Sequence, residues 1–213
     1  MAEWTEEQSQ AYLTYMESNV RYDHRRWAQA IARDWPDLRE GATVVDVAGG
    51  PAFLTLELAP LLCSPSIIVT DFSATMLARA TERAAQRGQA IEVVECPAER
   101  MALPDGCADL VVCKHFIRLA TDVDLVLREA VRVLRPGGRA YFVDFAGDAP
   151  LLGRVALYLW IRATGPKVIT EMFWDTMKSG MTAAKLVDRM KAAGFDGVQT
   201  ISSGVSYLVR AKK

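Results

Sequence analysis

The sequence predicts an α/β protein built on a doubly wound, mostly parallel sheet with helices on both faces. Three observations carry that prediction. From residue 43 onward, short β-branched runs alternate with helical patterns. Several of these runs are apolar almost without a break, as strands covered on both faces must be. The first run ends in a small-residue turn, VVDVAGGPAF at 44–53, of the kind that carries a strand into a helix. With 213 residues, 51% hydrophobic and 24% charged, the chain is long enough for one well-buried core, and no Pro/Gly/Ser-rich linker divides it.

Taken in order, TEEQSQAYLTYMESN opens a helix with Thr5 as N-cap and Gln8 completing a capping box. DHRRWAQAIARDW sets Trp27, Ala30, Ile31 and Trp35 on one face of a second helix, with His24 expected on its exposed side. Five strands follow as TVVDV (43–47), SIIVT (66–70), IEVVE (91–95), DLVVC (109–113) and RAYFVDF (139–145). Between them lie FLTLELAPLL, then SATMLARATERAAQRG with Ser73 as cap and Gly88 as stop, then DVDLVLREAVRVLRPGG capped by Asp122. TAAKLVDRMKAAG, closed by Gly194, and two final strands, VQTIS and SYLVRAKK, complete a seven-stranded sheet. The resulting single domain divides into an N-terminal helical cap (1–40), a ligand-binding core (41–146), a helical cover after the fifth strand (147–181) and a C-terminal helix with a strand pair (182–213).

Composition narrows the function. A formal net charge of -1 supplies no basic field for nucleic acid, so that partner is disfavoured. Cys63, Cys96, Cys107 and Cys113 form no CxxC pair or His-Cys cluster; no metal site is expected, and buried free thiols in a reducing cytoplasm are. MAEWTEEQ has no signal-peptide pattern, and the apolar stretch LLGRVALYLWIRATG is broken by Arg154 and Arg162 and too short to span a bilayer. Self-association as a homodimer stays open.

In an open parallel sheet, ligands bind beyond the carboxyl ends of the strands, where the strand order reverses. Gly49 and Gly50 give the first turn its conformational freedom and close approach, and Asp46 at the strand end can accept from a ligand or from the turn's own N–H groups. Asp71 ends the next strand, 25 positions on, where a carboxylate can hold two ribose hydroxyls; its other reading is a cap for the helix that follows. The turn lacks the G-x-G-x-x-G pattern of a dinucleotide site.

Four blocks, VVDVAGGPA, VTDFSATMLARA, CPAERMALPDGCADLVVCKHFIRLATD and LREAVRVLRPGGRAYFVDF, together resemble the class I S-adenosylmethionine (SAM) dependent methyltransferases, in particular the ubiquinone/menaquinone C-methyltransferase-like group. The likeness covers roughly residues 40 to 146 and implies a Rossmann-like sheet with SAM as cofactor and S-adenosylhomocysteine as product. It implies that Asp46, Ala48, Gly49 and Gly50 hold the methionine end, that Asp71 binds the ribose, that Phe72 and Met76 lie against the adenine, and that Ala98 and Glu99 border its edge. Cys113, Lys114 and His115 would lie beneath the sulfonium; should the N-terminal helices fold over the cofactor, Tyr15 and Tyr22 flank the entrance and the hydroxyl of either can touch the methionine part. Two positions depart from the family pattern: Ala52 stands where a glycine is common, and Pro97 where an aspartate is.

Methyl transfer needs alignment and exclusion of water, and a base only if the acceptor must lose a proton. His115 is the candidate base, set against a reading in which it orients SAM. Arg118 resembles an arginine of the quinone-methylating relatives, with pairing to Asp122 or Asp124 as its ordinary alternative. The cover supplies Trp160, Phe173, Trp174 and Met177 as candidate contacts for a small, partly hydrophobic or aromatic acceptor. Two other readings stand beside the enzyme: a non-catalytic SAM-binding partner protein of the same fold, and a nicotinamide-dependent enzyme weakened by the absent third glycine.

Overall fold

The computed structural model describes residues 5–167, 169–171 and 181–213. Its sheet has seven strands: β1 (Thr43–Val47), β2 (Ser66–Asp71), β3 (Glu92–Glu95), β4 (Ala108–Lys114), β5 (Leu134–Phe145), β6 (Asp196–Ser203) and β7 (Ser206–Lys212), in the order β3-β2-β1-β4-β5-β7-β6. The first five pair in parallel; β7 runs antiparallel to β5 and β6 antiparallel to β7. The strand order reverses between β1 and β4, which puts the cleft beyond Val47 and Lys114.

Alternation along the strands sorts side chains onto two faces. Val45, Val47, Val111, Cys113, Ala140 and Phe142 join one core cluster, under α5 (Val123–Val133) and α7 (Ala183–Ala192). Val44, Leu110, Val112, Tyr141 and Val143 join the other, under α2 (Arg21–Asp34), α3 (Phe53–Leu58) and α4 (Ala74–Gln86). Full burial on both faces is why these strands read as near-continuous apolar runs. The outermost strand β6 is mostly exposed.

The expected caps are present. Thr5 and Gln8 form a reciprocal capping box on α1 (Glu6–Tyr15), Ser73 caps α4, Asp122 caps α5 and Thr182 caps α7. A π-helical turn, Met16–Val20, joins α1 to α2. Three local expectations are corrected. The LRPGG segment continues no helix: the chain becomes extended at Leu134 and β5 begins there, with Gly138 so close to the carbonyl oxygens of Arg135 and Asp109 that a Cβ would lie 2.9 and 3.0 Å from them. His24 does not face solvent; it is 4% exposed, because the buried face of α2 includes 24 as well as 27, 28 and 31. Cys63 is exposed rather than buried, while Cys96 and Cys113 are buried; all four thiols are free.

A third, smaller cluster closes the carboxyl end of the sheet. Leu13, Tyr15 and Met16 from the N-terminal segment meet Phe53, Ile161 and Ile169, with Phe145, Leu157 and Tyr158 packed against them. Cap and cover thus meet over the strand ends, α6 (Leu151–Thr164) supplying Leu157, Tyr158 and Ile161.

Candidate active site

The first strand-to-helix turn is tightly determined. Ala48, Gly50 and Ala52 all have positive φ, at 51°, 52° and 58°. Glycine is needed at 49 for a different reason: a Cβ there would stand 2.6 Å from Asp46 Cγ and 2.9 Å from Val69 Cγ1. Ala52 holds the left-handed conformation immediately before α3, so the departure at this position leaves the turn's path intact at a strain of about 1–2 kcal/mol.

Two carboxylates lie behind this turn. Asp46 is 2% exposed, and its Oδ2 accepts from the hydroxyl of Thr55 in α3. Burial pushes its pKa up from 3.8 to about 7 against the Thr55 hydrogen bond, with Asp71 raising it further. Asp71 Oδ2 accepts the Gly50 N–H at 3.0 Å and Oδ1 the Ser73 N–H at 2.9 Å. Burial also raises the Asp71 pKa, opposed by the N–H groups of Ser73, Gly50 and Phe72. Asp71 therefore ties the first turn to the head of α4, and a carboxylate has about four lone-pair sites, so acceptor capacity is left for a diol. Next to it, Phe72 is half-buried, Met76 and Ala98 are buried and Glu99 is half-buried.

The end of β4 carries a second group of polar side chains. Cys113 does not open onto the cleft: it is 1% exposed in the sheet core, where burial drives its thiol pKa well up. Lys114, with a side chain only 4% exposed, pairs with Asp23 of α2 at 2.9 Å; burial lowers its pKa and Asp23 opposes that. His115 has φ 61°, a conformation rare for a side-chain-bearing residue outside functional turns. Its ring stacks on Phe145 with 4.4 Å between centroids, and Lys114 Nζ lies 3.4 Å from its Nδ1. Burial, then Lys114, Arg118 and His24, hold its pKa well below 6.5, so the imidazole is neutral.

Arg118 pairs with neither Asp122 nor Asp124. Asp122 caps α5 and Asp124 meets Arg189 at 2.9 Å. Arg118 instead forms an ion pair with Asp144 on β5, their side chains 5% and 0% exposed, and its backbone N–H reaches Asp144 Oδ2 at 3.3 Å. Its guanidinium also lies 5.4 Å from the Phe145 ring centroid.

Beyond His115 and Arg118 opens a cavity of about 550 Å³, walled by Tyr12, Tyr15, Met16, Phe145, Leu157, Trp160, Ile161 and Ile169 and bordered by Asp23, Arg26 and Ser203–Ser206. Its size and mostly apolar wall suit a small organic molecule. Tyr12 is buried enough there for its hydroxyl pKa to be pushed up to about 12. Tyr22 is corrected: it is 81% exposed and sits at the cavity rim rather than over the glycine turn. Trp160 lines the cavity as expected of a cover residue, while Phe173, Trp174 and Met177 fall outside the described residues. Among the described residues, no group of three metal-ligating side chains occurs and no helix is long and apolar enough to cross a membrane.

Three functional candidates escaped sequence reasoning. Asp23 and Asp144 are recognisable only through their partners Lys114 and Arg118, 91 and 26 positions away. His24 carried a signal, its helical phase with Trp27 and Ile31.

Comparison with known proteins agrees with this geometry. A SAM-dependent methyltransferase from Aquifex aeolicus superposes with a TM-score of 0.68 at 18% identity, over 87% of this chain and 88% of that one, which establishes the shared fold. The ubiquinone/menaquinone biosynthesis C-methyltransferase UbiE of Cellvibrio japonicus is 35% identical over 126 residues, 58% of this chain and 50% of the relative, so the chain spans about half the length of that protein. Its counterpart in Francisella tularensis is 28% identical over 96% of this chain and 91% of its own length. The family model for ubiE/COQ5 methyltransferases matches residues 12–201, and the chain belongs to that family.

Proposed function

We propose that this protein is a SAM-dependent methyltransferase acting on a small, partly hydrophobic aromatic acceptor, of the quinol type that the names of its relatives indicate. The observation that carries the reading is the placement of two buried carboxylates behind one glycine turn at the β1/β4 switch point, with a mostly apolar cavity opening beyond His115 just after β4. The residues suit the cofactor. Asp71 keeps unused acceptor capacity for a ribose diol, and Asp23 and Asp144 offset the cations Lys114 and Arg118 that would otherwise repel a sulfonium. SAM supplies an electrophilic methyl group when bound.

The chain's own tasks are binding, orientation and exclusion of water. Asp71, Phe72, Met76, Ala98 and Glu99 would hold the nucleoside, and Asp46 with the 48–50 turn the amino-acid end. Tyr12, Phe145, Trp160 and Ile161 would cover the acceptor ring, and Arg118, locked by Asp144, would set its positive charge beside it. The core at 41–146 would bind cofactor, and the cap at 1–40 with the cover at 147–181 would bind acceptor. With four free thiols, a reducing cytoplasm suits the protein.

Titration calorimetry with SAM, followed by transfer of labelled methyl from SAM to 1,4-dihydroxynaphthalene, tests this reading. Heat of binding and labelled product are expected. Folded protein that gives no heat with SAM would overturn it, and binding without turnover on any phenolic acceptor would favour the non-catalytic partner protein.

A further inference from the structure

Two buried histidines, one on α2 and one just after β4, meet beside the acceptor cavity that His115 lines. His24 is 4% exposed, and neither ring nitrogen has a hydrogen-bond partner among the described residues. Its ring stacks on Phe53, the first residue of α3, at 5.1 Å and 15°, and its centroid lies 6.4 Å from that of His115. His115 Nε2 is likewise buried without a partner among the described residues. Buried polar atoms are nearly always satisfied, so three exceptions within one ring-to-ring contact mark a place built to hold a polar atom of a ligand.

The neighbours set the proton positions. A lysine ammonium has donors only, so Lys114, 3.4 Å from His115 Nδ1 and paired with Asp23, makes that nitrogen an acceptor and leaves the neutral ring's one proton on Nε2. His115 thus presents a donor to the cavity. His24 has no such fixed neighbour at either nitrogen and can turn a lone pair towards His115. Ring centroids 6.4 Å apart put a nitrogen of each ring within reach of one bridging oxygen at hydrogen-bonding distance, about 2.8–3.0 Å. An oxygen that accepts from one side and donates to the other is a hydroxyl; a carbonyl or ether cannot donate and an ammonium cannot accept.

We propose that His24 and His115 grip one hydroxyl of a phenolic acceptor between them, His115 Nε2–H donating to its oxygen and His24 accepting its proton. This rests on the methyltransferase reading and deepens it: His24 becomes the base and His115 the donor that stabilises the developing anion, the reverse of the role expected of His115. The acceptor's O–H bond breaks, its electron pair stays on oxygen, and an N–H bond forms on His24. The cations facing the pair are Lys114 at the end of β4, Arg118 in the turn after it and Arg87 beyond α4; Asp23 on α2 and Asp144 on β5 are engaged with Lys114 and Arg118. Arg87 is paired in turn with Glu57 at 3.0 Å, so burial first, with these cations beside it, keeps both imidazoles neutral in the resting enzyme.

The test measures binding and turnover separately. Calorimetry is run anaerobically with 1,4-dihydroxynaphthalene and 1,4-dimethoxynaphthalene, which lacks both hydroxyl protons, and with SAM on its own. The wild type should prefer the dihydroxy compound by about tenfold or more, and His24→Phe should lose that preference while keeping its affinity for SAM. His24→Gln, which keeps an acceptor oxygen but is no base, should retain the preference and lose about a hundredfold in kcat, and it serves alone should His24→Phe not fold. An undiminished preference in His24→Phe, wild-type kcat in His24→Gln, or weaker binding of SAM alone in either variant would overturn the histidine pair and leave the methyltransferase reading standing. Absence of SAM binding by the wild type would instead remove that reading itself.

Discussion

Replacing Asp71 with asparagine separates the structural from the ligand-binding half of one carboxylate. In the folded protein Oδ1 takes the Ser73 N–H at 2.9 Å and Oδ2 the Gly50 N–H at 3.0 Å, one bond to each oxygen. With about four lone-pair sites in all, and the Phe72 N–H also acting on the carboxylate, acceptor capacity remains for a ribose diol. Asparagine turns one oxygen into an NH₂ group. That group must confront either the Ser73 or the Gly50 N–H, which costs about 1–3 kcal/mol of stability, or a Tm loss of about 2–4 °C per kcal/mol in a chain of this size. It also removes one hydroxyl contact and the charge that strengthens the other, worth about 1.5–3 kcal/mol, so the SAM Kd should rise about 10- to 150-fold. Titration calorimetry at a temperature where thermal melting shows the variant fully folded measures the second effect free of the first. A lowered Tm with an unchanged Kd would refute the ribose assignment and leave Asp71 as a tie between the turn and α4.

Three further outcomes follow from the same geometry. Gly49→Ala should lose about 1–3 kcal/mol in denaturant unfolding with an unchanged slope, because its Cβ meets Asp46 and Val69 at less than 3.0 Å; an unchanged midpoint would contradict this. Because the Asp46 carboxyl titrates near 7 in the folded chain and near 3.8 in the unfolded one, its contribution is fully present below about pH 4 and lost as the pH rises through 7. The depressed His24 and His115 pKa values act in the opposite sense up to about pH 6.5, so the Asp46 effect is read against Asp46→Asn: the ligand-free unfolding midpoint of the wild type should fall relative to that variant as the pH rises from about 5 to about 7.5. The depressed pKa values of Asp109 and Glu129 act below about pH 4 and do not enter that window. Asp144→Asn should cost about 3–5 kcal/mol by leaving Arg118 charged and buried, and the double variant Arg118→Met/Asp144→Leu should recover part of it in the same assay.

The α/β order, the caps and the cofactor side of the cleft could be read from the sequence because their signals are local. Thr5 with Gln8, Ser73 and Asp122 announce helix starts within four residues, and the apolar period separates β1 from α2. The glycine turn was legible as a turn, yet the need at Gly49 comes from Val69 on the neighbouring strand as well as from Asp46, and only the β1–β2 pairing reveals that. The acceptor side was illegible for the same reason carried further. Arg118 has two aspartates close by in sequence, at 122 and 124, and pairs with a third at 144 because β4 and β5 are neighbours in the sheet. Cys113 was placed at the cleft by its position at a strand end, where strand alternation turns its side chain into the core. His24 was the avoidable error, since its spacing to Trp27 and Ile31 already put it on the buried stripe of α2.

Ala48, Ala52 and His115 hold left-handed backbones at the rim of the cleft. Glycine at 48 or 52 would relieve about 1–2 kcal/mol of strain and give back about 0.4–1 kcal/mol through the greater freedom of the unfolded chain, so the net change in folding is small. Directed evolution for heat resistance is thus nearly blind to these positions, whereas a screen on catalysis would see at once any loosening of the loops that aim the reactants. Stabilised variants of this protein should be sought on the outer helices and the β6 edge, away from the rim.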